Sequence, residues 1–123
     1  MLTLSLILLG SGLLTTLVCL PLVFGKVPPN AVYGFRTRQT FASPRAWADL
    51  NEVGGMAVAQ VGFPLMLGGG IGLFLPDAYV GLVGTATAIV CLLSIGLAVG
   101  LYLRYAAKYA ARGPEHASGE RLP

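Results

Sequence analysis

Three stretches of this chain, residues 1–25, 56–75 and 79–103, contain no Asp, Glu, Lys, Arg or His. Each is long enough for a helix to cross roughly 30 Å of hydrocarbon, which takes about 20 apolar residues. In lipid no water bonds a free N–H or C=O, so such a run must satisfy its own backbone and be helical. Alternating apolar and polar barrel strands are absent. The pattern predicts an all-α membrane protein with three transmembrane helices, over about 2–25, 56–75 and 79–103. Only 11% of the 123 residues are charged, against roughly 25% in soluble domains. Little chain remains for a soluble domain, so 1–112 is expected as a single membrane domain and 113–123 as a polar, disordered tail. The first run lacks a basic start and a small-residue cleavage site, so it is read as a true span rather than a signal peptide.

Charge placement gives an orientation. Lys26, Arg36, Arg38 and Arg45 fall between the first two runs, and Arg104, Lys108, Arg112 and Arg121 follow the third. No cation precedes the first run, and the turn at 76–78 has only Asp77. All eight cations therefore fall on one side of a three-span arrangement. The positive-inside rule makes that side cytoplasmic, with the N-terminus outside and the C-terminus inside.

Several chemistries are disfavoured. Cys19 and Cys91 lie within apolar runs and read as small buried hydrophobes rather than a disulfide framework. The single His116 sits in the tail, so no metal site and no cofactor are expected. No span carries an ionisable residue, which argues against a proton-coupled transporter. No activated nucleophile stands out, so no catalytic residue is assigned and no nucleic-acid partner is expected.

Within the spans, glycines carry the packing signal. Small residues let helices approach closely where lipid supplies no hydrophobic drive. Gly10 and Gly12 lie in the first run, Gly68–Gly70 and Gly72 in the second, and Gly81, Gly84, Gly96 and Gly100 in the third. Packing within one three-helix bundle is expected, in preference to a homodimer seam through Gly96 and Gly100. Gln60 lies one turn before Pro64 and is expected to satisfy the carbonyl that proline frees; the alternative is a polar ligand point.

The polar chemistry is concentrated at 26–55, "KVPPNAVYGFRTRQTFASPRAWADLNEVGG". Pro28 and Pro29 fix the chain at the membrane exit, and Asn30 suits an Asx turn. Tyr33 and Phe35 suit the headgroup level, with Gly34 allowing a turn between them. Arg36 is a fork for phosphate or carboxylate. Its internal partner would be Glu52 and its external one a lipid phosphate. Ser43 reads as an N-cap with Pro44 at the first helical position. Trp47, Asn51 and Gly55 then recur every fourth residue along one face. Trp47 is expected at the membrane interface, Asn51 reaching back to the loop, and Gly55 at a close approach. Arg45 and Asp49 form an i, i+4 pair. The region reads as a compact cytoplasmic motif loop with a short interfacial helix, folded into a cap.

These residues resemble the SdpI/YfhL family of bacterial membrane proteins. Lys26, Pro28, Pro29, Asn30, Tyr33, Gly34, Arg36, Thr37, Thr40, Trp47, Asn51 and Gly55 carry the likeness, which extends over about residues 20–103. Arg38 and Gln39 stand at more variable positions. The resemblance implies a bacterial inner-membrane protein of the immunity type, which protects its cell against a secreted peptide toxin. It also implies signalling by holding a repressor at the membrane. The naming member is larger, with additional spans, so this chain would be a minimal three-span version. The first expected function is non-enzymatic immunity or a membrane receptor, with a peptide toxin as partner. The alternatives are an anionic-lipid-binding module, with Lys26, Arg36 and Arg38 on phosphate, or a small accessory subunit using the glycine faces.

Overall fold

The computed structural model describes residues 1–112. The expectations for the tail at 113–123, His116 included, lie outside the described residues. Three long helices make up the fold: α1 (Leu2–Val23), α2 (Pro44–Gly72) and α3 (Val80–Ala111). Single 3-10 turns at Thr40–Ala42 and Asp77–Tyr79 precede α2 and α3. All three helices are long and apolar enough to cross a membrane.

α2 is the central element. α1 packs along nearly its whole length, α3 packs along another face, and α1 and α3 barely touch. The Met1 ammonium lies 2.6 Å from Asp77, so the start of α1 and the α2–α3 turn share one end of the molecule. The long 24–43 loop lies at the other.

The helices differ from expectation in extent. At 1.5 Å per residue, the 29 residues of α2 and the 32 of α3 are longer than roughly 30 Å of hydrocarbon requires. The surplus lies at the loop end. There Ala46 and Leu50 of α2 pack against Tyr109 of α3, with Tyr105 and Ala106 beside them. The third span was expected to stop near residue 103; it continues to Ala111 because its last turns have this second surface to cover. The interfacial helix is not a separate element. Helix α2 runs unbroken from Pro44 through Gly54 and Gly55 into the span. A glycine pair weakens a helix by only about 1 kcal/mol per residue, and here both glycines admit a neighbour. α2 also passes through Pro64 without ending.

The α1–α2 seam is built on glycine. A Cβ on Gly69 would lie 2.7 Å from the Ser5 carbonyl oxygen and 2.8 Å from the Leu9 nitrogen. One on Gly12 would lie 2.6 Å from the Gly62 carbonyl oxygen, and one on Gly62 the same distance from that of Gly12. Gly72 receives the fully buried Ser5. Gly55 admits Leu22 and Val23 at the end of α1, as its spacing predicted. On α3 the expectation fails. Gly81, Gly96 and Gly100 have nothing within 4 Å of an added Cβ, and only Gly84 has a neighbour, Leu4 at 3.6 Å. Gly96 and Gly100 are turned away from α2 and do not pack within the bundle.

A folded cap joins the three helices

The 24–43 loop is held by side chains that bond its backbone. Asn30 forms the expected Asx turn: its Oδ1 accepts from the N–H of Val32 (2.9 Å) and of Tyr33 (2.7 Å), and its Nδ2 donates to the Pro28 carbonyl (2.9 Å). Four residues after Asn30, Gly34 has φ +111, a conformation L side chains rarely adopt. A Cβ there would also meet Asn51 Oδ1 at 2.6 Å and Trp47 Cζ2 at 3.2 Å. Gly34 is thus required twice, for its backbone and for its space.

Asn51 is the centre of the cap. Its side chain is 2% exposed. Its Oδ1 accepts from the Phe35 N–H (2.6 Å), and its Nδ2 donates to the carbonyls of Phe35 (3.2 Å) and Trp47 (3.0 Å). A primary amide pairs with a backbone N–H and C=O as a β-strand neighbour would. The loop is thereby fixed to α2 with its buried polar groups satisfied. Trp47 lies one turn earlier and is 1% exposed. It is packed inside the cap, its Nε1–H donating to the Val27 carbonyl (2.8 Å) and its ring 5.2 Å from Phe41. A buried indole needs an acceptor for its N–H, and the chain leaving α1 supplies it.

Further contacts were not legible beforehand. Thr37 and Thr40 bond reciprocally: the Thr37 N–H donates to Thr40 Oγ1 (2.8 Å), the Thr40 N–H to Thr37 Oγ1 (3.2 Å), and the Thr40 hydroxyl to the Thr37 carbonyl (2.9 Å). Gln39 donates to the Ala106 carbonyl of α3 (2.9 Å). Phe35 stacks on Tyr102 of α3, centroids 4.9 Å apart, and its ring occupies the space a Cβ on Gly54 would need. Ser43 caps α2 as expected, accepting from the Ala46 N–H at 3.0 Å. Burial pushes the Tyr33 phenol above its ordinary pKa, and nearby Cys19 adds to the shift.

Among the motif residues, three cations stand apart from this core. Lys26, Arg36 and Arg38 are exposed. Arg36 donates to the Ala31 carbonyl across its own loop. Among the described residues the side-chain ion pair is Arg45–Asp49, at 3.7 Å, as the spacing predicted. No Arg36–Glu52 pair forms: Glu52 is on an exposed position of α2 while the Arg36 head turns back to its own loop. Lys26, Pro28 and Pro29 are likewise at the surface.

Among the recesses along α3, two lie between it and α2 within the span region. One, about 240 Å³, is lined by Thr15, Phe35, Ala57, Val58, Val61, Ile95, Ala98, Val99 and Tyr102. The other, about 350 Å³, includes Gln60, Phe63, Pro64 and Ser94. Gln60 does not bridge the backbone that Pro64 frees. Its amide makes no hydrogen bond among the described residues and borders this second recess instead.

Three spanning helices joined by a cap define a multi-pass membrane protein. The family described as the SdpI/YfhL protein family matches residues 26–103, well over half the chain. The chain belongs to that family. The match begins at Lys26 rather than near residue 20, so it takes in the cap and α2 and most of α3, while α1 precedes it. Neither the curated proteins nor the solved structures offer a match.

Proposed function

We propose that this chain is a non-enzymatic SdpI-type protein of the bacterial inner membrane that confers resistance to a secreted peptide toxin, or serves as its membrane receptor. The observation that carries the reading is the family match over the cap and the helices it ties together. The cap's buried polar groups serve its own architecture, which leaves its exposed surface and the spans for a partner. The seven cations among the described residues lie between the end of α1 and the first turn of α2 or near the end of α3, which supports a cytoplasmic cap with the N-terminus outside.

A toxin-sensitive bacterial host tests the reading. Wild type and Arg36→Ala are expressed to equal membrane levels and challenged with a secreted peptide toxin of the kind the family resists. Survival with the wild type and loss of it in the variant are expected. Failure of both at normal levels would sink the toxin reading.

One observation favours a second reading, an anionic-lipid-binding module. Lys26, Arg36 and Arg38 are exposed on the loop without an acidic partner among the described residues. Each cation near an anionic membrane surface contributes about 1 kcal/mol of attraction. Phospholipid retained through purification, and reduced in Arg36→Ala, is the expected outcome.

A further inference from the structure

α2 meets α1 on one face and α3 on another, which leaves a third face free. Met56, Gln60, Phe63, Leu67, Gly70 and Phe74 run along it in alternating steps of four and three. The large apolar side chains among them are exposed, from 49% at Met56 to 89% at Phe74, and a Cβ on Gly70 would meet nothing within 4 Å. Apolar residues exposed on a span need only lipid. Gln60, exposed like them, is the one polar residue of the six.

The Gln60 amide is out of reach of water. The charged Met1–Asp77 pair marks a membrane boundary just beyond Gly72. At 1.5 Å per residue Gln60 lies about 18 Å from the Gly72 end of α2. Of roughly 30 Å of hydrocarbon, about 12 Å then remain on the cap side. A glutamine lacks the long stem that carries a lysine or arginine head to the interface. A primary amide has two N–H donors and an acceptor oxygen, each costly to leave unpaired in hydrocarbon. This one makes no hydrogen bond among the described residues. Pro64 adds to the demand, because it has no N–H to give the Gln60 carbonyl. Ser94 of α3 borders the same recess.

We propose that this face of α2 pairs with the same face of a second copy of this chain, the two Gln60 amides bonded to each other. Three features select that occupant. Two copies inserted alike are related by a twofold axis along the membrane normal, so a residue near the axis meets its own duplicate at its own depth. A primary amide is donor and acceptor at once and therefore complementary to itself, whereas a lipid chain offers it nothing. The four-three spacing is that of a left-handed helix pair, the common crossing in membranes. In that repeat Gln60 takes an a-type position, where a single polar residue sets register and strand number. The pairing is separate from the toxin and lipid readings and is compatible with either.

The test uses the full chain carrying Cys19→Ala and Cys91→Ala, reconstituted in phosphatidylcholine vesicles over a series of lipid-to-protein ratios. Leu67→Cys, at the next a-type position, should give a covalent dimer on oxidation. Met56→Cys is a second reporter, one turn before Gln60. Leu92→Cys, 68% exposed on α3 and outside the recess, should crosslink several-fold less. Gln60→Leu, which suits a span, should lower about 5- to 30-fold the lipid dilution at which half the crosslink is lost, the range interhelical hydrogen bonds give in model peptides. Gln60→Asn, which keeps an amide, should fall between wild type and Gln60→Leu. A chain that stays monomeric at every ratio overturns the proposal, even where native membranes yield a crosslink to another protein. Equal crosslinking at Leu92→Cys, or no shift with Gln60→Leu, overturns it as well.

Discussion

The two sides of α2 follow different packing rules. Toward α1, Gly12, Gly55, Gly62, Gly69 and Gly72 bring the backbones so close that an added Cβ would overlap the neighbour. Toward α3, only Gly68 is tightly filled, by Thr87. The rest of that side is held at the cap end, through Phe35 on Tyr102, Gln39 on Ala106 and Tyr109 against Ala46 and Leu50. Between these points lie two recesses. The contrast separates a seam that fixes the architecture from one that leaves room for a guest. Close backbone approach gains van der Waals contact along its whole length. A seam fastened at a few points leaves gaps that only lipid or a ligand can fill.

Substitution in the glycine seam should break the comparison most strongly. Gly69→Val would drive two methyls into the backbone at Ser5 and Leu9. Overpacking costs typically about 1–3 kcal/mol, and against unyielding backbone the upper end or more is expected. The measurable result is a large fall in the midpoint of thermal aggregation in detergent, or loss of accumulating protein. A wild-type midpoint would show that the seam opens without penalty.

Removing the cap's central amide comes next. Asn51→Ala leaves the Phe35 N–H and C=O without their partner. A buried group left unpaired costs about 1–3 kcal/mol, so a loss of roughly 2–3 kcal/mol is expected. Amide exchange at Phe35 should quicken while exchange within α1 stays slow. Equal acceleration in both places would mean that cap and seam unfold as one unit.

The smallest effect belongs to α3. Gly96 has open space around an added Cβ. Gly96→Ala should therefore stabilise by about 0.4–1 kcal/mol, through a less flexible unfolded chain, seen as a slight rise in the same thermal midpoint. A marked loss would reveal a partner helix seated on Gly96 and Gly100, and would place both sides of the molecule under the same packing rule.

Much of this was legible in the residues. Three uncharged runs dictate three helices, because hydrocarbon leaves the backbone no other way to satisfy itself. The Asn30 turn and the Ser43 cap are local features, each set by a short polar side chain near its own backbone; the reach of Asn51 to Phe35 is a contact between α2 and the loop, signalled by its place on the Trp47–Gly55 face. An indole suits both a membrane interface and a cap interior, so the residue type alone did not give the burial of Trp47 against the Val27 carbonyl. The reciprocal Thr37–Thr40 pair carries the i, i+3 spacing of a turn, and that spacing was its available signal.

The sequence by itself determined the number of helices, the end at which charge collects and the residues that make the cap. Those follow from the solvent each segment must meet and from contacts within a few residues. Only the tertiary structure decided which glycines carry the packing, that α2 is shared by two helices that scarcely meet, and that Arg36 is free of Glu52. Each depends on the rotation of one helix about its axis relative to another. In runs as uniformly apolar as α1 and α3, hydrophobic pattern does not specify that rotation; close fit between particular side chains does.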